Sequence, residues 1–418
     1  MIKMKNLIIT SGLPFIYKSG GATHDLNVLT VLNKKMEFEF IPAPKDIYIS
    51  SMDEIKQNNY YNYINNLKLN MPEYINNIFE RRIKFNKIDD VIKYIYGDIK
   101  NKLVYSQDES IYNIMLLYKL SFNNKCAALF KLTPFMQSFM DDYKYFSGLI
   151  DVNIMYHQAR KIVKTFINGR NRKIYYFYIK NFAAVFSNSK NVLSQSGIDK
   201  LKIKKIVIDP PNSFNPFNSN ILKYKSSKKD YIIYFARFIP EKGIYEIPLI
   251  LREIIEINPD INLYVAGEFY NFSIVNKIFN YKKVFFEKIK KLGLENNLKY
   301  MGFLQGEELY KKISGARALI YPSHSDSVPL SVLESLALNT PVVAYNIPAI
   351  IEFYSNIKSV KIVDEYDYKS MAENAVKFFN MDNYDELFDD ENLKNLIKKH
   401  SSWENVADAE LNALESLI

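Results

Sequence analysis

The chain is poor in the residues from which many compact ligand sites are built. Among 418 residues there is one cysteine, Cys126. An intrachain disulfide, a thiolate zinc cluster and a CxxC redox pair are therefore all excluded. Such usage suits a reducing compartment, and a cytoplasmic location is expected. The four histidines, His24, His157, His324 and His400, are far apart and nowhere show a ligand spacing such as HExxH, so no metal is expected. Glycine is scarce at 13 residues, and neither GxGxxG nor GxxxxGK[ST] occurs, so the two common phosphate-cradling fingerprints are missing. No apolar run reaches the roughly 18 residues of a spanning helix. The apolar core of "MIKMKNLIITSGLPF" is too short for a signal peptide and reads as a first buried strand. A protein that is soluble, or bound at a surface, is expected.

One further absence is local. From Val152 to Ile198 there is no Asp or Glu, while Arg160, Lys161, Lys164, Arg170, Arg172, Lys173, Lys180 and Lys190 fall in the same stretch with Phe166 and Tyr175–Tyr178 between them. The net charge of +9 favours anionic partners in general. This stretch fits either a solvated basic face whose aromatics enter the core or a surface for an anionic lipid headgroup. Nucleic acid ranks lower, since no helix-turn-helix, zinc-finger or RRM signature accompanies the charge.

What is present is alternation. In the second half, short apolar runs, "YIIYFA" (231–236), "INLYVAG" (261–267), "LKYMGF" (298–303), "RALIYPS" (317–323), "PVVAY" (341–345) and "VKIV" (360–363), are separated by helix-patterned intervals. Runs that are apolar throughout fit strands buried on both faces, and strand–helix alternation points to a doubly wound α/β sheet. The first half begins likewise, with "KNLIIT", then "ATHDLNVLTVLNKK" as a helix, and later "KCAALFKL" and "FAAVFSNS" as strands. The Asn- and Tyr-rich stretch from about 50 to 120 reads as a helical elaboration. Residues 208–230, rich in Pro, Asn and Ser, read as the linker. Two domains are expected, 1–213 and 214–398, followed by a segment 399–418. Ligands of such folds bind outside the carboxyl ends of the strands.

Three places carry residues suited to that crevice. In "SDSVPLSVLESLALNTPVV" (325–343), Asp326 follows a strand and Glu334 lies within an expected helix from about Pro329 through Leu338. Either Asp326 or Ser327 caps this helix and Glu334 is merely solvated, or the two carboxylates accept ligand hydroxyls. In the second case the free N–H groups of Val328 and Leu330 at the helix start favour an anion between them. In "YFARFIPEKG" (234–243), Arg237 and Lys242 follow a strand and are either ordinary surface charge or a phosphate clamp. In "YKSGGATHD" (17–25), Gly20 and Gly21 sit between strand and helix, where paired glycines let a backbone approach a ligand closely; alone they are a plain turn.

The set resembles the retaining two-domain (GT-B) glycosyltransferases of family 4. The resemblance rests on the Gly-Gly turn, on "FARFIPEKG", and on "LKYMGFLQGEELYKKISGARALIYPSHSDSVPLSVLESLALNTPVVA" with its carboxylate-x7-Glu spacing, and it extends to Glu352. It implies two Rossmann-like domains facing a central cleft, with the segment 399–418, which holds the only tryptophan, Trp403, as a final helix returning to the first domain. It implies a metal-independent sugar transfer from a nucleotide-sugar donor to an acceptor hydroxyl with retained configuration, and no cofactor. By the resemblance Arg237 and Lys242 hold the donor diphosphate, and Glu334 binds the ribose. Asp326 binds the transferred sugar, and Val328, Pro329 and Leu330 line sugar and phosphate. Leu304 lines the base pocket, and Gly20 and Gly21 approach the phosphates. The acceptor is unknown; a lipid-linked or anionic one, with peripheral membrane contact through 152–198, is the expectation. Two departures stand out. The first motif carboxylate is Asp rather than Glu, and an expected first-domain histidine is unmatched, with Thr133 near its place. A relative that binds without catalysis, or another enzyme of this architecture such as a nucleotide-sugar epimerase, are the alternatives.

Overall fold

The computed structural model describes residues 2–11, 20–42, 68–71, 73, 88–96, 99–107, 109–131, 173, 175–216, 219–269 and 281–418. They form two compact units. One holds the described residues up to 131, residues 173–213 and the segment Ser402–Ile418; the other holds Phe214–Ser401.

The first unit is built on a parallel six-stranded sheet. Its strands are β1 (Ile2–Ser11), β2 (Met36–Pro42), β3 (Leu103–Ser106), β4 (Lys125–Phe130), β5 (Ala184–Ser187) and β6 (Lys205–Val207), in the order β2-β1-β3-β4-β5-β6. The second unit repeats the architecture with β7 (Tyr231–Phe235), β8 (Asn262–Ala266), β9 (Leu298–Gly302), β10 (Ala318–Tyr321), β11 (Val342–Tyr345) and β12 (Val360–Val363), in the order β12-β11-β10-β7-β8-β9. Every neighbouring pair is parallel. This is the doubly wound order in which the chain leaves β7 in one direction and returns through β10 on its other side. The gap between those two strands is the topological switch point, where ligands of such sheets bind.

The sequence explains the burial. β7, β10 and β11 are apolar at nearly every position and buried along their whole length, because crossover helices cover both faces of a parallel sheet. Each Ile, Leu or Val so buried contributes about 1.5–3 kcal/mol relative to exposure. The core between sheet and helices includes Ile232, Ile233, Leu319, Ile320, Val342, Val343, Ile250, Leu251 and Ile254.

The stretch expected to be a helical elaboration is corrected in part. It contains a strand: β3, "LVYS", lies between β1 and β4 near the middle of its sheet. Four residues are too few to show a period, and this strand is preceded by Asn and Lys and followed by Gln and Asp rather than bounded by Gly or Pro. Helices Ile88–Ile95 and Ile111–Leu120 stand on either side of it. Residues 50–67 and 74–87 of that stretch, and 152–172 of the basic segment, lie outside the described residues. The last helix, Trp403–Glu415, packs against the helix Gly20–Lys35 of the first unit. Lys35 and Asp408 form one ion pair between them.

Candidate functional site

The loops after β7 and β10 bring two of the expected residues together at the switch point. Lys242 ends a short turn Pro240–Lys242, and Asp326 lies in the loop between β10 and the helix Leu330–Ala337. Lys242 Nζ donates to Asp326 Oδ2 at 2.6 Å and to the Ser325 carbonyl at 3.1 Å. Asp326 Oδ2 also accepts from the Tyr321 hydroxyl, and its Oδ1 accepts from the Ser327 N–H at 2.8 Å. Burial by itself would raise the Asp326 carboxyl, but the Lys242 charge and these donors outweigh it and hold it below the usual carboxylate range.

Backbone geometry explains why the loops can lie so close. Gly243 follows Lys242 with φ +73, and a Cβ there would come within 2.1 Å of the Pro322 carbonyl oxygen. Two backbones touch at that point, which only glycine permits. Tyr234 at the end of β7 donates from its hydroxyl to the Lys242 carbonyl at 2.9 Å.

The cap assignment in the motif is corrected. The helix begins at Leu330 with Pro329 as its N-cap residue, and no side chain caps it. Neither Asp326 nor Ser327 reaches the N–H groups of the first turn; Asp326 turns instead to the Ser327 N–H and to Lys242. Among the described residues the N–H groups of Val328 and Leu330 have no acceptor. The far end closes as a Schellman turn. Asn339 has φ +58, its N–H donates to the Leu336 carbonyl at 3.1 Å, and the Thr340 N–H donates to the Ser335 carbonyl at 2.8 Å.

Glu334 lies one turn into this helix. No group among the described residues hydrogen-bonds its carboxylate, and burial pushes its pKa up to about 8. The Tyr354 hydroxyl, which donates to the Pro329 carbonyl at 3.0 Å, is raised by burial and by the charges of both Asp326 and Glu334. The two motif carboxylates therefore share one neighbour, and they differ sharply. Asp326 is saturated with donors, and Glu334 has none.

Arg237 and Leu304 meet elsewhere on the same side of the sheet. They line a cavity of about 150 Å³ with Gly267, Glu268 and Phe303. Arg237 is exposed, and its guanidinium forms no ion pair among the described residues. Gly267 keeps the cavity floor open at the close contact between β7 and β8, where a Cβ would meet the Ala236 carbonyl oxygen at 2.1 Å.

In the first unit, Gly20 and Gly21 are the first two residues of the helix Gly20–Lys35 rather than a turn before it. Two clusters escaped the reading of the sequence. Behind the glycines His24, Asp25, Lys131, Tyr105, Gln107 and Glu410 are all buried. Glu410 Oε2 accepts from the Tyr105 hydroxyl at 2.7 Å and from Gln107 at 3.3 Å, and its Oε1 lies 3.1 Å from His24 Nε2. Lys131 pairs with Asp25. In the second unit His324 joins Glu246 and Glu365. The signal available was position alone, since His24 follows the glycines and His324 and Lys131 follow strands. Their carboxylate partners come from distant segments that no local pattern ties to them. Among the described residues no group of His, Cys, Asp and Glu is arranged to hold a metal ion, and no helix is long and apolar enough to cross a membrane.

Comparison with known proteins agrees with this geometry. Residues 219–406 match the family described as Glycosyl transferases group 1. The chain is 26% identical over 191 residues to the O-antigen chain mannosyltransferase RfbU of Salmonella typhimurium, covering 44% of this chain and 50% of that protein. It is 25% identical over 134 residues to the O-antigen chain mannosyltransferase B of Escherichia coli, covering 32% and 34%. The chain thus spans half the length, or less, of these relatives. Among solved structures, sucrose-phosphate synthase from Thermosynechococcus elongatus superimposes with a TM-score of 0.64 at 12% identity over 98% of both chains. Anabaena HepE in complex with UDP gives 0.64 at 11% identity over 98% and 100%. Both likenesses are of fold.

Proposed function

We propose that the chain is a glycosyltransferase that moves a hexose from a nucleoside-diphosphate donor to an acceptor hydroxyl with retention of configuration and without a metal ion. One observation carries the reading: Lys242 and Asp326 meet at the switch point of a doubly wound sheet, at the head of a helix whose first N–H groups have no acceptor among the described residues. A cation and helix N–H groups together suit a diphosphate. Asp326 and Glu334 suit hydroxyls at its two ends. Arg237 and Leu304, on the neighbouring cavity, suit the nucleoside end, with Arg237 reaching the phosphates. The match to glycosyl transferases group 1 covers every one of these residues and supports the same reading. The mannosyltransferases among the relatives make mannose the first sugar to try.

The chemistry asked of the chain is electrostatic. As the bond from sugar to diphosphate breaks, negative charge grows on the leaving oxygen. Lys242, Arg237 and the N–H groups of Val328 and Leu330 stabilise it; removing one such fixed donor typically costs about 10²–10³-fold in turnover. The departing diphosphate then accepts the proton of the acceptor hydroxyl, which attacks from the same face. The acceptor is lipid-linked or anionic in this reading, and the basic segment 152–198 would meet the membrane surface.

A thermal-shift screen of UDP-, GDP- and ADP-sugars tests the donor assignment, because a ligand that binds only the native state raises its melting temperature. Stabilisation by one nucleotide class, transfer that survives EDTA, and an α-linked product from an α-linked donor are expected. No stabilisation by any of them would overturn the reading. Flotation with anionic vesicles, with the 152–198 lysines reversed as control, tests the membrane contact.

A further inference from the structure

A charged cluster in the second unit, buried at His324 and Glu246 and open to solvent at Glu365, lies beside the proposed donor site and has no part in the reading above. His324 is nearly inaccessible, 7% exposed. Its Nδ1 lies 2.7 Å from Glu365 Oε2, and its Nε2 contacts Glu246 Oε1. With both carboxylates ionised, a ring whose two nitrogens face their oxygens carries a proton on each and is an imidazolium. Glu246 is also buried, at 3% exposure, and its second oxygen accepts from the Tyr345 hydroxyl at 2.6 Å. The Tyr366 ring stacks on the imidazole with centroids 4.7 Å apart.

These partners come from three different connections. Glu246 is the N-cap residue of the helix Ile247–Ile257, on the segment that carries Lys242. His324 stands two residues before Asp326. Glu365 and Tyr366 follow β12. Backbone bonds run alongside: the His324 N–H donates to the Glu241 carbonyl at 3.0 Å, and the Ser323 hydroxyl donates to the same carbonyl at 3.2 Å. A buried charge pair is poor evidence for stability, because desolvation offsets the attraction, but it does impose one arrangement of the segments it joins.

We propose that His324 is a positioning residue for the donor-diphosphate site, a cationic pin between Glu246 and Glu365 that fixes the Asp326 loop against the Lys242 loop; this rests on the glycosyltransferase reading of that site. The groups that set the charge of the pin are Glu246 and Glu365; the Glu246 charge is also felt by Tyr345, Tyr366, Tyr234, Tyr368 and Lys288, which pack around it. Burial by itself would lower the His324 pKa, but the two carboxylates outweigh it and raise it to about 9. The pin is thus charged at neutral pH and is lost as the pH rises through that value.

The test uses UDP and GDP as probes and measures their affinity for the full chain from pH 6 to pH 10. The wild type is expected to bind one of them and to lose affinity above about pH 9. His324→Gln is expected to bind on the order of tenfold to hundredfold more weakly, as for a misplaced site group, with no alkaline limb of its own. Glu246→Gln is expected to bind as the wild type does at pH 6 and to lose affinity at a lower pH than the wild type. This recovery in acid separates a lost charge from a misfolded chain. Equal affinity and an equal pH profile in His324→Gln, or an unshifted limb in Glu246→Gln, would overturn the pin. If the wild type binds neither, ADP replaces them as the probe, and if it binds none of the three the donor-site reading fails. Hydrogen exchange then decides the pin: faster exchange at 236–246 and 322–328 in His324→Gln supports it, and unchanged exchange overturns it.

Discussion

Lys242 and Asp326 stand 84 positions apart in the chain and meet at 2.6 Å, each with most of its side chain out of water. Such a pair is a liability once halved, since removing one member of a buried pair leaves an uncompensated charge. Lys242→Ala is expected to lower turnover by about 10²-fold or more and to leave the circular-dichroism spectrum unchanged. Arg237→Ala, with no ion pair among the described residues to lose, is expected to lower turnover without moving the melting temperature. A near-wild-type rate in both would remove the phosphate role from this corner.

The same pair has a sign in pH. Asp326 titrates below its ordinary range in the folded chain, so its contribution to stability is present above the ordinary carboxylate pKa and is lost as the pH falls through the lowered one. Replacing Lys242 removes the main cause. The acid limb of the melting curve in Lys242→Ala should therefore be flatter than in the wild type, as read by thermal melts from pH 3 to pH 7.

Glu334 behaves in the opposite sense. Its pKa, raised to about 8 by burial, means that its contribution is present below the ordinary carboxylate pKa and is lost as the pH rises through 8. Glu334→Gln should hence melt higher than the wild type at pH 9. If ribose hydroxyls donate to its ionised form, donor binding near pH 7 must release a proton. Calorimetry in two buffers of different ionisation enthalpy measures that release, which should vanish in Glu334→Gln along with much of the affinity.

Gly243→Ala should be among the most damaging small substitutions in the second unit. The added carbon meets the Pro322 carbonyl oxygen at 2.1 Å, and the backbone is left-handed there. Strain of that kind costs about 1–3 kcal/mol before the clash is counted. A melting temperature within a degree of the wild type would show that the two loops are not in contact.

Glu410→Ala probes the first unit. It removes the acceptor of Tyr105 and Gln107 and the carboxylate next to His24, all of them buried. A loss of about 3–5 kcal/mol is the usual cost of halving a buried charged contact. Burial lowers the His24 pKa, but Asp25 and Glu410 outweigh it and the net shift is upward. The pair's contribution is thus present below the ordinary histidine pKa and is lost as the pH rises through the raised one. The gap between Glu410→Ala and wild type in thermal melts should narrow in alkali.

How much of this was legible in the sequence depends on run length. Tyr231–Phe235, Ala318–Tyr321 and Val342–Tyr345 declare themselves because every position is apolar, as strands covered on both faces require. Leu103–Ser106 does not, being four residues between Asn-Lys and Gln-Asp, although it lies near the centre of its sheet. The spacing of Asp326 and Glu334 was legible, but their difference in charge state was not. That difference comes from Lys242, which is local to another motif, and from burial, which no motif records. His324 looked like an isolated histidine because Glu246 and Glu365 are each tens of residues away.

The first unit is discontinuous in the chain. Phe214–Ser401 intervenes between most of it and the helix Trp403–Glu415. On a ribosome, domains ordinarily complete themselves in the order they emerge. Here the order is inverted: the segment that carries Glu410 is translated after Phe214–Ser401, so the described residues of the second unit are all made before those of the first are complete. Until then His24, Tyr105 and Gln107 wait around a position that nothing has yet filled. The first unit is therefore expected to complete its fold after the second.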